Sequence, residues 1–259
     1  MKIRLLVAAA NIGFMFLLVG GIAAQAAEIK VLSANAMQEV MEDLGPKFER
    51  ATGHKLAITF GNLGAIRKRV QGGETADVVI TPREGIDGFV KDGKAAAGNV
   101  TALARSGIGV AVRKGAPKPD ISSPEALKRA LLAAKSITYV DPALGGPSST
   151  HVAKVLDRLG IADEMKSKTV LSKEGSDTGV LVANGKAEIG VQTFPNLISV
   201  AGIEIVGPLP GDLQATTVFT AAIMAGAKDA AASKVLVNFL RTPEAATVIK
   251  AKGLEPATP

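Results

Sequence analysis

The sequence predicts an α/β protein built of two units, each a mostly parallel sheet flanked by helices. Three observations predict it. Apolar runs of strand length alternate with segments of helical period, the pattern of strand–helix–strand crossovers. The alternation runs once to about residue 90 and restarts near residue 108. The chain has 259 residues, 47% of them hydrophobic and 21% charged. That is the composition of a globular protein, long enough to bury one large core or two small ones.

The first 26 residues read as an export leader. Met1-Lys2-Ile3-Arg4 is a basic start, and the apolar run from Leu5 to Ala24 follows it. The run ends in Ala24-Gln25-Ala26, a small-x-small site for signal peptidase. An uncleaved anchor is the alternative, because the run approaches the ~20 residues that span a bilayer. The well-formed small-residue site favours cleavage. Removing 26 of the 259 residues leaves 233, and the loss of Lys2 and Arg4 lowers the formal charge from +6 to +4.

Composition excludes several chemistries. With no Cys there are no disulfides, thiolate metal sites, iron–sulfur clusters or thiol nucleophiles. Two His residues leave little room for a histidine metal site, so neither metal nor cofactor is expected. Aromatic residues make up 3% of the chain and the basic residues are scattered. Stacking platforms for nucleic acid are therefore not expected.

In the first unit, Glu28–Leu32 is a β-rich run. The segment from Ala36 to Ala51 has helical spacing through Val40, Leu44 and Phe48, and Thr52-Gly53 ends it. Lys55–Phe60 alternates as a strand. Ala65–Gln71 is a short helix stopped by Gly72-Gly73, Asp77–Ile80 is a buried-type strand, and Thr81-Pro82 opens a helix through Val90. His54 reads as a surface residue of the turn.

In the second unit, Ile108–Val112 is a strand. Ser123 caps a helix that carries Pro124 at its first position. Ile137–Val140, Thr169–Leu171 and Glu188–Val191 are strands. Helices run over Ser149–Leu159 and Thr178–Ala183. Ile203–Val206 and Thr217–Met224 are further strands, and Ala230–Leu240 and Pro243–Ala251 are closing helices. The chain is expected to cross between units near Arg105–Gly109 and Gln214–Val218. The closing helices then return to cover the first sheet. The expected division is a leader over 1–26, a first lobe of 27–106 with 217–259, and a second lobe of 107–216.

Open α/β sheets bind ligands at strand carboxyl ends, against helix N-termini. Four loops sit there: Ser33-Ala34-Asn35-Ala36, Gly61-Asn62-Leu63-Gly64, Gly145-Gly146-Pro147-Ser148-Ser149-Thr150 and Gly175-Ser176-Asp177-Thr178. Each joins small residues and a hydroxyl or amide to a helix start, where free N–H groups and the helix dipole favour anions. Any one of them is explained by helix capping alone. Their even split between two units points to a shared cleft.

The runs Ile29-Lys30-Val31-Leu32-Ser33-Ala34-Asn35-Ala36-Met37, Phe60-Gly61-Asn62-Leu63-Gly64-Ala65-Ile66 and Ala76-Asp77-Val78-Val79-Ile80 resemble the periplasmic molybdate-binding proteins of ABC importers. So do Ala183-Asn184-Gly185-Lys186-Ala187-Glu188-Ile189-Gly190 and Phe239-Leu240-Arg241-Thr242-Pro243-Glu244-Ala245. The resemblance implies a two-lobed type II periplasmic binding (Venus flytrap) fold with a two-segment hinge. It also implies a periplasmic, monomeric protein that holds a tetrahedral oxyanion with neutral donors and delivers it to a membrane permease and its ATPase. Carried over by position, the ligand residues are Ser33 or Asn35 with Ala36, then Asn62-Leu63 where the family has two serines. The second lobe supplies the loop from Gly146 through Ser148 to Ser149, and the Asp177-Thr178 turn. Thr193 stands where the family has a tyrosine. The replaced serines and tyrosine put the ligand's identity in doubt more than the fold. The alternative ligand is a small carboxylate held by an arginine, and Arg83 is the best placed, ahead of Arg67 and Arg105.

An enzyme is not expected. Ser149 and His151 stand two apart on a helix start and do not face each other, which argues against a Ser/His hydrolase. No Gly-x-Ser-x-Gly elbow is present.

Overall fold

The computed structural model describes residues 26–144 and 146–257, so the proposed leader up to residue 25 lies outside the described residues. The chain begins with strand β1 (Glu28–Ala34) and runs through α1 (Gln38–Thr52), β2 (Lys55–Gly61), α2 (Leu63–Gln71), β3 (Val78–Pro82) and α3 (Arg83–Lys91). A helix connects each strand to the next, so β1 pairs parallel with β2 on one side and β3 on the other. Helix α1 forms because Val40, Met41, Leu44 and Phe48 make one buried stripe. Gly53, at φ 77°, ends it and donates its N–H to the Glu49 carbonyl at 2.9 Å.

Strand β4 (Ala95–Ser106) then leads into β5 (Ile108–Arg113), and the chain passes to a second sheet. There it forms α4 (Pro124–Ala133), β6 (Ile137–Val140), α5 (Pro147–Arg158), α6 (Ala162–Lys166), β7 (Thr169–Ser172), α7 (Gly175–Ala183), β8 (Ile189–Thr193), α8 (Phe194–Ile198) and β9 (Ile203–Pro208). Ser123 caps α4 by accepting from the Ala126 N–H at 3.1 Å. The chain re-enters the first sheet as β10 (Thr217–Met224) and closes with α9 (Ala230–Phe239), α10 (Pro243–Ala251) and the short β11 (Glu255–Pro256). Strand order is β11-β4-β10-β3-β1-β2 in the first sheet and β7-β6-β8-β5-β9 in the second.

Each sheet has its own core. One core joins β1 and α1 to Leu236, Leu240 and Ile249 of the closing helices. A second fills the other face of that sheet around Ile66, Ile86 and Phe89. A third gathers Ile108, Leu127, Ile137, Val152 and Met165 in the second sheet.

Four expectations need correction. The sheets are mixed and not mostly parallel: β10 runs antiparallel to β3 and β4, and β5 antiparallel to β8 and β9. These strands arrive by crossing between sheets, without a helical crossover to enforce parallel entry. Strand β4, together with α6, α8 and β11, was not expected. Its Ala-, Gly- and Asn-rich sequence carries no alternation to mark it. Ser33 belongs to β1 and is fully buried, because the strand continues through Ala34. His54 is buried, not a surface residue. Its Nδ1 accepts from the Ala27 N–H at 3.1 Å, and its ring stacks on Phe48 at 6.1 Å between centroids.

Candidate functional site

The carboxyl ends of β1, β2, β6 and β8 face one another across the gap between the sheets. Each runs into a turn or helix that starts there. Asn35 opens a 3-10 turn after β1. Asn62 caps α2, accepting from the Ala65 N–H at 2.8 Å. Gly146 and Pro147 start α5, Glu174 and Gly175 start α7, and Thr193 precedes α8. They enclose a cavity of about 70 Å³. That is several times the roughly 10–15 Å³ a cavity needs to admit one water, the scale of a small anion.

Of the residues singled out in the sequence, Asn35, Ala36, Asn62, Leu63, Gly146, Ser148, Ser149 and Thr193 line this cavity. Ser33, Asp177, Thr178 and Arg83 do not. Ser33 points its hydroxyl at the Ala34 carbonyl, 3.5 Å away. Thr178 is buried against Ser172, with the two hydroxyls 2.8 Å apart. Asp177 faces its own helix start, where Oδ2 accepts from the Glu174 N–H at 3.1 Å. Arg83 lies on an exposed helix face and donates Nε to Asp87 at 2.7 Å. An i,i+4 acid on the same helix is its partner, so the carboxylate role read for Arg83 has no support in its placement.

Gln192 and Asn196 also line the cavity and were not singled out, and Gly175 lines it from the fourth loop. Gln192 is, with Thr193, a buried polar residue of β8, a strand whose Val191 and Ile189 are core. Asn196 donates Nδ2 to the Thr193 hydroxyl at 3.1 Å. Gly175 meets Asn196 so closely that any Cβ there would overlap its amide.

The decisive omission is Glu174. Its side chain reaches from the second sheet to the first: Oε2 accepts from Asn35 Nδ2 at 2.6 Å, and Oε1 from Asn62 Nδ2 at 3.2 Å. The two amides read as donors to a ligand therefore hold a carboxylate of the chain itself. Burial pushes the Glu174 carboxyl above its usual range. Asp177 adds to the rise, and the Asn35 and Asn62 hydrogen bonds oppose it. A Glu directly before a Gly-Ser-Asp helix start signals only a capping box. Its reach across the gap depends on how the sheets meet.

The donors left for an anion are mostly backbone. The Ser149 hydroxyl donates to the Gly146 carbonyl at 2.8 Å, so it already serves its own loop. First-turn N–H groups of α2, α5 and α7 have no partners inside their helices, and all three helices start at the cavity. Of these, the Ala65 N–H is taken by Asn62 and the Asp177 N–H by Glu174, and Pro147 has none.

Comparison with known proteins places this geometry in context. A family model described as bacterial extracellular solute-binding protein matches residues 29–255. The chain is 33% identical over 234 residues to a Pseudomonas sp. protein named aconitate isomerase, covering 88% of this chain and 87% of that one. It is 31% identical over 242 residues to the molybdate-binding protein ModA of Azotobacter vinelandii, covering 89% of this chain and 91% of the relative. The solved structure of an Azotobacter vinelandii periplasmic molybdate-binding protein superposes with a TM-score of 0.72 at 21% identity, over 89% of this chain and 99% of that one. The expectation that the chain is no enzyme does not stand, because a relative this similar carries an enzyme's name.

Proposed function

Because the chain belongs to the bacterial extracellular solute-binding protein family, we propose that it captures a small anion between its two sheets. We place it in the periplasm as a monomer that delivers this anion to the permease and ATPase of an ABC importer. The observation that carries the reading is the convergence of three helix N-termini on one small cavity. Burying a charge costs several kcal/mol unless hydrogen bonds replace its water. Preorganised N–H donors at helix starts meet that cost without a counter-ion. Molybdate fits the name of the Azotobacter vinelandii relative and the cavity's scale. The two lobes, 27–106 with 217–259 and 107–216, close on the ligand by bending where the chain crosses between sheets.

A second reading is favoured by the relative named aconitate isomerase and by Glu174. An isomerisation that moves a double bond along an allylic unit needs no co-reactant. One group takes a proton from a carbon at one end and returns it at the other. Glu174 is a carboxyl of raised proton affinity beside the cavity, which suits that task.

One experiment separates the readings. The mature protein is melted with molybdate, tungstate, sulfate, and cis- and trans-aconitate, and each aconitate is also followed by ultraviolet absorbance. A ligand at 100 times its Kd adds about 2.7 kcal/mol, or roughly 5–10 °C in Tm for a chain this size. An oxyanion shift without aconitate turnover supports capture for transport. Interconversion of the aconitates supports the second reading. No shift with any of the anions overturns the cleft as an anion site.

A further inference from the structure

The cavity does not end at its small chamber. Leu63, Pro147, Ser148 and Thr217 line it and also line a larger hollow of about 380 Å³ beside it. The walls of this annex differ in character from those of the chamber. Arg67 of α2 stands on the first-lobe side, and His151 and Lys154 of α5 stand on the second-lobe side. Basic side chains therefore line the annex from both sides of the gap, whereas no basic residue lines the small chamber.

We propose that this annex is a second anion subsite, and that the ligand is an organic acid with at least two acidic groups. One group sits in the chamber and the other between Arg67, His151 and Lys154. The proposal rests on the cleft being the ligand site and names the ligand class it takes. Three observations carry it. First, Arg67 and His151 are held in place, and neither Arg67 nor the exposed Lys154 is neutralised. Arg67 is half-buried and its Nη2 donates to the Glu84 backbone carbonyl at 3.3 Å, which orients the guanidinium without cancelling its charge. His151 donates Nε2 to the Leu213 carbonyl at 2.7 Å, which fixes its ring. Among the described residues neither Arg67 nor Lys154 is in an ion pair. The one acidic residue lining the annex, Glu84, is exposed.

Second, the chamber offers backbone N–H donors and no cation. Asn35 and Asn62 already serve Glu174, so a ligand of high charge needs compensation from elsewhere. Third, Arg67 and Lys154 lie on opposite lobes. Like charges facing across a closing gap oppose closure until an anion lies between them. A ligand with one small acidic head reaches only the chamber. A di- or tricarboxylate bridges both spaces and turns that repulsion into attraction.

The test uses the mature protein and two probes, titrated calorimetrically: tricarballylate, a saturated tricarboxylate that cannot isomerise by an allylic shift, and molybdate, a single-headed anion. The variants are Lys154→Ala, the double variant Arg67→Ala with Lys154→Ala, and Lys154→Glu, each checked for native melting by circular dichroism. Tricarballylate is expected to bind the wild type, to lose roughly 10- to 100-fold in affinity in the double variant, and to lose more in Lys154→Glu than in Lys154→Ala. Any molybdate binding should change less than threefold. Undiminished tricarballylate binding in the double variant overturns the annex. Wild-type binding of molybdate but not tricarballylate also overturns it and leaves the cleft reading intact. No binding of either probe overturns both.

Discussion

At the scale of single residues, Glu174 has the clearest consequence for stability. Its folded-state pKa is raised above the ordinary carboxyl value chiefly by burial. The folded chain therefore binds this proton more tightly than the unfolded chain. The stabilisation from the protonated form is fully present below the unfolded value and is lost as pH rises through the folded one. A Glu174→Gln variant cannot titrate there. Urea melts from pH 4 to 7 should show wild type losing stability relative to Glu174→Gln as pH rises through this range. Parallel profiles would mean that burial does not govern this carboxyl. The residue also shows where sequence reading stops. Asn35, Asn62, Ser148 and Ser149 were legible because local chemistry marks strand-to-helix junctions. Asn62 does cap α2 and Ser149 does bond its own loop, so capping and cleft lining are both true of them. Glu174 was invisible as a cleft residue because its partners lie 139 and 112 positions away.

At the scale of elements, legibility followed periodicity. Helix α1 and strand β2 announce themselves by spacing, and their ends fall within a few residues of expectation. Strand β4 has no such signal. It is held by pairing with β10 from Thr217↔Ser106 to Met224↔Ala95, and a partner more than a hundred residues away leaves no local mark. Approaches between elements are equally non-local. Helix α2 and the short turn before α5 come together so closely that a Cβ at Gly64 would overlap the Leu144 carbonyl oxygen. Both atoms of that contact are backbone or rigidly attached to it, so neither can rotate away. Gly64→Ala should therefore hold the lobes apart. Ligand-saturated variant protein is expected to keep a larger radius of gyration by small-angle scattering than ligand-saturated wild type, with ligand affinity at least about tenfold weaker, since closure supplies the second lobe's donors. An unchanged radius and affinity would show that the loop yields.

At the scale of the whole molecule, none of the three apolar cores spans both sheets. The halves are joined by small contacts, among them the Glu174 bridge, the Gly64 approach, Ile198 against Gly253, and the two crossings of the chain. Units with separate cores and a thin interface move relative to each other by default. Their motion must then be guided where the chain crosses. Gln214 ties the crossings together. Its Oε1 accepts from the Ile108 N–H at 2.8 Å and the Ala215 N–H at 2.9 Å, and its Nε2 donates to the Ile108 carbonyl at 2.9 Å. One side chain thus imitates a neighbouring strand at the point where both crossings must bend. Gln214→Ala leaves the N–H and C=O of Ile108 without these partners, at a cost of about 1–3 kcal/mol. A cost confined to the pivot predicts a local signature. Amide exchange at Ile108 and Ala215 should quicken by about tenfold or more, while amides of β1 and β6, inside separate cores, keep their wild-type rates. Uniformly faster exchange would mean that Gln214 supports the whole fold, and unchanged exchange at Ile108 would mean that the crossings are held by their strand pairing alone. Only the local pattern fits two rigid lobes on a side-chain-braced pivot, the mechanical arrangement that closing on a buried anion requires.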